Sequence, residues 1–122
     1  MSARILLIED DSASMELMMY LLKSFGFQPI IAFNGEDGFR LAQSTAPQLI
    51  LCDVNLPGIS GAAFVRELKR LPELNRVPVV AVTAMAMEGD REGLMRLGFD
   101  GYIAKPIDPE HLQAQIVSYL PD

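Results

Sequence analysis

The chain has 122 residues, of which 50% are hydrophobic, and a formal net charge of −6 at pH 7. This length suits one domain with a single core, and the composition excludes a disordered chain. Because phosphate recognition on DNA needs clustered Lys and Arg, the acidic balance and scattered basic residues exclude direct nucleic-acid binding. No apolar run approaches the ~20 residues of a membrane span, and the start lacks a signal peptide. With a single cysteine as well, we expect a cytoplasmic protein with no membrane partner.

The first part of the chain predicts two strands around an amphipathic helix. Residues 4–8 are apolar and predict a buried strand. Three acids follow it directly: Glu9, Asp10 and Asp11. The helix comes next and ends before Gly26, its expected C′ residue. Residues 28–33 predict the second strand, and Pro29 places it at a sheet edge because proline cannot donate to a ladder.

The middle of the chain repeats this alternation. Asn34 is the predicted N-cap of the second helix, with Asp37 capping back onto it. Residues 49–53 predict a third strand that is buried on both faces, and its last residue is a carboxylate. The Pro57-Gly58 turn leaves this strand, and Ser60 is the predicted N-cap of the third helix.

The fourth strand is predicted at residues 77–82 and is followed by Thr83. The fourth helix is predicted at residues 87–97. It contains Gly89 and Gly93, each of which costs about 1 kcal/mol relative to Ala inside a helix. We therefore expect it to be the weakest helix.

The last strand is predicted at residues 100–104, and Lys105-Pro106 leaves it. The final helix begins with Asp108 as N-cap and Pro109 at its first position. Five alternations of strand and helix predict an α/β fold, a parallel sheet with helices on both faces. The strands at Pro29 and Gly101-Tyr102 suit the edges of that sheet.

Polar residues lie at the ends of four of the predicted strands or directly after them, and the carboxyl ends of parallel strands share one rim. These residues are Glu9, Asp10, Asp53, Thr83 and Lys105. Two carboxylates 4 Å apart repel by ~4 kcal/mol at an effective dielectric of 20, and a divalent cation relieves this repulsion. All-oxygen ligands suit Mg²⁺ or Mn²⁺ and do not suit zinc.

This rim has the groups that phosphoryl transfer to a carboxylate requires. Asp53 is the candidate nucleophile, since aspartate forms aspartyl phosphates. Lys105 would pair with one phosphoryl oxygen as a point charge, and the Thr83 hydroxyl would donate to another. The cation would screen the charge of the transition state.

In order and spacing, these residues resemble the receiver domain of bacterial two-component response regulators. The matching residues are Glu9-Asp10, Asp53, Leu56-Pro57-Gly58, Gly61, Thr83-Ala84 and Lys105-Pro106. The resemblance implies one receiver domain over residues 1–122, with a flavodoxin-like, doubly wound (βα)5 fold and strand order 2-1-3-4-5. It also implies that a sensor histidine kinase or a histidine phosphotransfer protein phosphorylates Asp53.

The resemblance further implies a metal site and a switch. Mg²⁺ would be held by the carboxylates of Asp10 and Asp53, by the backbone carbonyl of Asn55, and by Glu9 through water. Many members carry Asp at the position of Glu9, and the longer side chain suits a contact through water. The Lys-Pro bond of the family is often cis, and we expect the same here.

Phosphorylation of family members changes a surface. By resemblance, Thr83 would move toward the phosphate and Tyr102 would turn inward. This would change the face made by the fourth helix, the last strand and the last helix, where a downstream protein would bind. Residues 77–87 and 104–107 are most similar to stand-alone receivers of the cell-cycle type and to receivers of hybrid kinases. Since the chain stops after the last helix, we expect this surface itself to be the output of a monomer or weak dimer.

Three other functions compete with this hypothesis. An aspartate-nucleophile phosphatase of the haloacid dehalogenase type needs a second acid two residues after the nucleophile, where Asn55 stands. A pure interaction scaffold would not need the intact acids, Thr83 and Lys105. A flavin carrier would need a Ser/Thr/Gly-rich phosphate loop after the first strand. We therefore expect a switch that catalyses only its own phosphorylation and slow dephosphorylation.

Other polar and sulfur-containing residues are expected to be structural. Cys52 points opposite to Asp53 and should fill the core. His111 should lie on the surface of the last helix. The methionines around the fourth helix are expected to fill the core or to form an adaptable partner surface. They are Met85, Met87 and Met95.

Overall fold

The computed structural model describes residues 2–84 and 89–121, in which five strands alternate with five helices. In chain order they are β1 (Arg4–Ile8), α1 (Ser12–Ser24), β2 (Gln28–Ala32), α2 (Gly35–Thr45), β3 (Leu49–Asp53), α3 (Gly61–Lys69), β4 (Val79–Thr83), α4 (Asp90–Leu97), β5 (Gly101–Ala104) and α5 (Pro109–Tyr119). No helix in these two segments is long and apolar enough to cross a membrane.

The five strands of the described sheet are parallel and have the order β2-β1-β3-β4-β5. This confirms the predicted doubly wound, flavodoxin-like fold. The sheet edges are β2 and β5, as the sequence predicted from Pro29 and Gly101-Tyr102. The central strand is β3, whose Cys52 pairs with Ile8 and whose Asp53 pairs with Val82. Asp53 therefore lies at the carboxyl end of the middle of the sheet.

Two apolar clusters cover the faces of the sheet, because successive side chains of a strand point to opposite faces. One cluster packs the sheet against α2, α3 and α4, and it includes Cys52, which is fully buried as predicted. The other cluster packs the opposite face against α1 and α5. Strands β3 and β4 are buried along their whole length, which explains their nearly continuous apolar sequences.

Most helix ends follow local side-chain chemistry. Side-chain oxygens cap the first turns of four helices, from Asp11, Asn34, Ser60 and Asp108. The last three are the caps that the sequence predicted. Asp37 differs in detail, since its carboxylate accepts from the side-chain amide of Asn34 at 3.1 Å and does not cap the backbone. Gly26 follows α1 in the left-handed region, at φ 87°, as expected of a C′ residue.

The predicted boundaries of two elements need correction. Strand β4 begins at Val79 and not at Val77, because Pro78 has no N–H and the N–H of Val77 donates to Leu74 in a turn. Helix α4 begins at Asp90, and Gly89 is its N-cap, with φ 96°, so Gly89 is not inside the helix. The predicted start of α4 at Met87, and the expectations for Met85 and Met87, concern residues outside the two described segments.

Smaller differences affect the edge strands. Strand β2 ends at Ala32, one residue before its predicted end, and β5 begins at Gly101, one residue after its predicted start. Asp100 precedes β5, where its side chain accepts from the N–H of Val79 at 2.8 Å. This side chain therefore closes the amino end of the β4–β5 pair.

Candidate functional site

Three acids meet at the carboxyl edge of the sheet. Glu9 and Asp10 follow β1, and Asp53 is the last residue of the neighbouring strand β3. One carboxylate oxygen of each lies within 4.8 Å of the others. Glu9 is only 3% exposed and Asp53 9%, whereas Asp10 is exposed. The structure thus brings together the three carboxylates that the sequence predicted, and two of them are buried.

Lys105 joins these acids from the other side of the crevice. Its ammonium donates to Glu9 Oε1 at 2.8 Å and to Asp53 Oδ2 at 3.2 Å. The position of Lys105 depends on the end of β5, where its backbone N–H donates to the carbonyl of Thr83 at 2.8 Å. The Lys105-Pro106 peptide bond is cis, as the resemblance implied. One ammonium therefore bridges two of the three carboxylates.

The structure places Thr83 and Tyr102 on neighbouring strands. Thr83 is the last residue of β4, is 1% exposed and pairs with Ala104. Tyr102 lies near the middle of β5, pairs with Ala81, and is half-buried against the core cluster on the side of α4. Thr83 thus lies at the edge where the acids meet. Tyr102 lies on the neighbouring strand, two residues further from this edge than Ala104, the partner of Thr83.

The turn after β3 packs closely against the backbone of Asp53. Asn55 is exposed, and its backbone N–H donates to Asp53 Oδ1 at 2.9 Å. The turn closes at Gly61, whose N–H donates to the carbonyl of Val54 at 3.1 Å. A Cβ at Gly61 would lie 2.7 Å from the carbonyl oxygen of Asp53, which is too close. Glycine is therefore required at position 61 because a side chain would displace the residue at the centre of the site.

The pKa values of the two buried carboxyl groups shift in opposite directions. Burial and the neighbouring Asp53 carboxylate raise the pKa of Glu9 to about 7, although Lys105 acts in the opposite direction. Burial would also raise the pKa of Asp53, but its contacts with the Glu9 carboxyl, the Asn55 amide and Lys105 outweigh burial and lower that pKa. Burial lowers the pKa of Lys105, and its bonds and attraction to the two carboxylates outweigh this and raise it. Near neutral pH, Asp53 is ionised beside an ammonium, which suits a nucleophile.

The donor set fits a hard divalent cation. The cluster contains three carboxylates and one ammonium, and Glu9 Oε2 is buried without a hydrogen-bond partner in the described structure. A buried carboxylate oxygen without a partner costs free energy that a cation or its water would recover. All the available ligand atoms are oxygens, which Mg²⁺ and Mn²⁺ prefer.

A mostly apolar cavity of about 180 Å³ lies beside the acids, between α1 and the loop that follows β5. Leu17 and Ile107 line it together with Glu9, Asp53 and Lys105. The sequence did not point to Leu17 as part of this site. One signal was available in the sequence, because Leu17 is an apolar residue outside the stripe of Met15, Met18 and Leu22 that α1 buries. In the structure its side chain is 43% exposed. His111, in contrast, is exposed on α5, as predicted.

Comparison with known proteins gave the same family at the levels of sequence and structure. A family model described as the response regulator receiver domain matches residues 5–117. The polar-differentiation response regulator DivK of Brucella anthropi is 38% identical over 122 residues, which cover 100% of this chain and 99% of that protein.

Two solved structures superpose closely. The receiver domain of the sensor histidine kinase PA1611 from Pseudomonas aeruginosa has a TM-score of 0.89 and 31% identity, covers 98% of each chain, and has a magnesium ion coordinated in its active site cleft. The chemotaxis response regulator CheY4 of Vibrio cholerae has a TM-score of 0.93, with 98% of this chain and 100% of that chain covered. At 22% identity, this second likeness shows the fold alone.

Proposed function

This chain belongs to the response regulator receiver domain family, and from this premise we propose that it is a signalling switch that accepts a phosphoryl group on Asp53. The observation that carries the proposal is the environment of this carboxylate. One of its oxygens accepts from Lys105 and the other from the backbone of Asn55, and two further acids lie beside it. We also propose that residues 1–122 form one receiver domain.

The proposed donor is a phosphohistidine of a sensor histidine kinase or a histidine phosphotransfer protein. An oxygen of Asp53 forms a bond to phosphorus while the bond between phosphorus and the histidine nitrogen breaks, and the imidazole leaves with a proton from solvent. Lys105 neutralises charge on the phosphoryl oxygens, since its ammonium already lies 3.2 Å from Asp53 Oδ2. Hydrolysis of the acyl phosphate later releases inorganic phosphate and restores the carboxylate.

We assign Mg²⁺, with Mn²⁺ as a substitute, to the acids of this crevice. Asp10, Asp53 and the backbone carbonyl of Asn55 would hold it directly, and Glu9 through water. When bound, the cation screens the negative charge of the transferring phosphoryl group. The magnesium ion of the receiver domain from Pseudomonas aeruginosa supports this assignment by likeness.

The proposed output is a change of surface. Thr83 lies at the end of β4 and would move its hydroxyl toward a phosphoryl group on Asp53. Tyr102 would then turn inward from β5 and change the face formed by α4, β5 and α5. A downstream protein would recognise this face, which exposes Met95 and Val117. We expect a monomer or weak dimer that acts in the cytoplasm and has no catalytic activity on an external substrate.

Labelling by a small phosphodonor tests this function without the partner kinase. Incubation with acetyl phosphate and Mg²⁺ should add one phosphoryl group, detected by intact mass, and Asp53→Asn should abolish the addition. Asp37→Asn is the matched control, since Asp37 lies in the first turn of α2 and pairs with Arg40. If the Asp53 variant still took up one phosphoryl group per chain, the assignment would be wrong.

A turnover assay on phosphate esters separates the proposed switch from a phosphatase. A switch turns over its own acyl phosphate slowly and leaves phosphate esters intact. Multiple turnover on a phosphate ester such as p-nitrophenyl phosphate, lost on Asp53→Asn, would instead indicate an aspartate-nucleophile phosphatase.

A further inference from the structure

Tyr119, the last residue of α5, reaches the backbone of the proposed switch residue. Its hydroxyl accepts from the N–H of Tyr102 at 3.3 Å and donates to the carbonyl of Tyr102 at 3.4 Å. One side-chain oxygen thus binds both polar backbone groups of one residue. Both bonds are long, so each is at the weak end of the range for hydrogen bonds.

Gly101 provides the space for this contact. A Cβ at Gly101 would lie 2.2 Å from Cε1 and 2.4 Å from the hydroxyl oxygen of Tyr119. Gly101 is not among the residues with positive φ, so its backbone does not require glycine. The missing side chain is needed only to let the phenol ring approach the strand. Gly101 and Tyr119 therefore form a matched pair.

The contact lies on an edge strand. Strand β5 pairs only with β4 in the described sheet, so one side of its backbone has no neighbouring strand. Backbone groups on such an edge must be satisfied by water or by side chains. The hydroxyl of Tyr119 satisfies those of Tyr102 from within the same chain.

The two tyrosines belong to different layers. Tyr119 packs against the core cluster on the side of α1 and α5, whereas Tyr102 packs against the cluster on the side of α4. The hydroxyl of Tyr119 therefore links α5 to the opposite layer around the edge of the sheet. A rearrangement of β5 at Tyr102 has to keep or break this link.

We propose that Tyr119 is a positioning residue that holds Tyr102 in its resting arrangement and so sets the balance of the switch. The inference rests on the proposed function, because it assigns a restraint to the same switch. Removal of the hydroxyl lowers the cost of rearranging β5 and shifts the chain toward its phosphorylated arrangement.

Tyr119→Phe in the 122-residue chain tests the restraint, because it removes the hydroxyl and retains the ring over Gly101. Hydrogen exchange of the Tyr102 amide, followed by NMR, should become about two- to fivefold faster, as expected for the loss of one weak hydrogen bond. Tyr20→Phe, which changes an exposed tyrosine of α1, is the matched control and should leave this rate unchanged.

Beryllofluoride with Mg²⁺, a mimic of the phosphoryl group, tests the coupling to the switch. The chain has 3 tyrosines. The ring signals of labelled tyrosine that remain in both Tyr119→Phe and Tyr20→Phe are those of Tyr102. In the wild-type chain the Tyr102 signal should shift on saturation. In Tyr119→Phe the same shift should occur at an about two- to fivefold lower beryllofluoride concentration. Tyr20→Phe should titrate like the wild type.

The outcomes separate the inference from the proposed function. A wild-type chain that shows no response to Mg²⁺ and beryllofluoride would overturn the switch and this inference together. A wild-type response that Tyr119→Phe reproduces at the same concentration would overturn only the role of Tyr119, even if amide exchange became faster. Gly101→Ala provides a second test, since the added methyl group displaces the ring and should accelerate exchange of the same amide. An unchanged rate in both variants would also overturn the restraint.

Discussion

Two lysine side chains form ion pairs at opposite edges of the sheet. At the carboxyl edge, Lys105 donates to Glu9 at 2.8 Å and to Asp53 at 3.2 Å. At the amino edge, Lys69 at the end of α3 donates to Asp100 at 2.9 Å and to the carbonyl of Val77 at 2.8 Å. The two lysine side chains are similarly buried, at 27% and 23% exposed. Burial and bond length therefore do not distinguish these sites.

The charge around each ammonium does distinguish them. Lys69 faces one carboxylate, and the same oxygen of Asp100 also accepts from the N–H of Val79. Lys105 faces an excess of acid, and the buried Glu9 Oε2 has no partner in the described structure. A balanced pair with satisfied bonds connects α3 to the starts of β4 and β5. An unbalanced, partly unsatisfied cluster has the excess negative charge that a positively charged ligand would neutralise.

The largest expected effect is on phosphorylation. Lys105→Met removes the charge that, in the proposed function, faces the transferring phosphoryl group, and we expect the rate of labelling by acetyl phosphate to fall about 10²-fold. Lys69→Met should leave this rate within about twofold, because Lys69 lies at the other edge of the sheet. Rates are measured by intact mass at saturating Mg²⁺. Equal rates in the two variants would remove the distinction between the two lysines.

The next effect is on the pH dependence of stability without metal. Unfolded Glu9 titrates near pH 4.3, whereas the folded chain raises its pKa to about 7. Between these values the folded state binds more protons, so the free energy of unfolding should fall as pH rises, by at most about 1.4 kcal/mol per pH unit. The lowered pKa of Asp53 and the raised pKa of Lys105 act outside this window.

Urea unfolding in a chelator at about pH 5, 6, 7 and 8 measures this slope. Glu9→Gln has no ionisable group at this position, so its free energy of unfolding should depend less on pH. Between pH 5 and pH 8 the wild-type chain should therefore lose more free energy of unfolding than the variant does. A wild-type slope that the Gln variant retains would show that another group is responsible.

The smallest expected effect is a loss of stability at the amino edge. Lys69→Met removes the two short hydrogen bonds that the ammonium donates and leaves Asp100 without its counter-charge, so we expect a decrease of about 1–2 kcal/mol in the free energy of unfolding. Lys23→Met changes an exposed lysine in the last turn of α1 and should cost less than about 0.5 kcal/mol. Equal stability of the two variants would mean that the Lys69 network is not stabilising.

The sequence predicted the fold and the members of the crevice because both depend on local signals. Apolar runs, caps such as Ser60, and turn residues define the elements, and parallel strands place their carboxyl ends at one edge. The assembly of Glu9, Asp10, Asp53 and Lys105 follows from this geometry alone. Their roles in phosphoryl transfer stay predictions that labelling of Asp53 tests.

The remaining features depend on contacts between distant parts of the chain. The pairing of Lys69 with Asp100 joins positions 31 residues apart and has no local pattern. The buried, unpartnered oxygen of Glu9 depends on how the loop after β1 packs. Gly101 was the available clue to Tyr119, since glycine inside a strand indicates a close approach of another group.

Cys52 has a practical consequence for experiments on this chain. It is the only cysteine, it is fully buried, and its thiol lies 3.3 Å from the carbonyl oxygen of Asp53. Burial, with the nearby carboxylates, raises the pKa of this thiol, so little thiolate is available to alkylating reagents in the folded state. A fluorescent maleimide should therefore react only when the chain opens, and its reaction rate would report unfolding. A second cysteine engineered on the surface would carry a dye selectively, without removal of the native one.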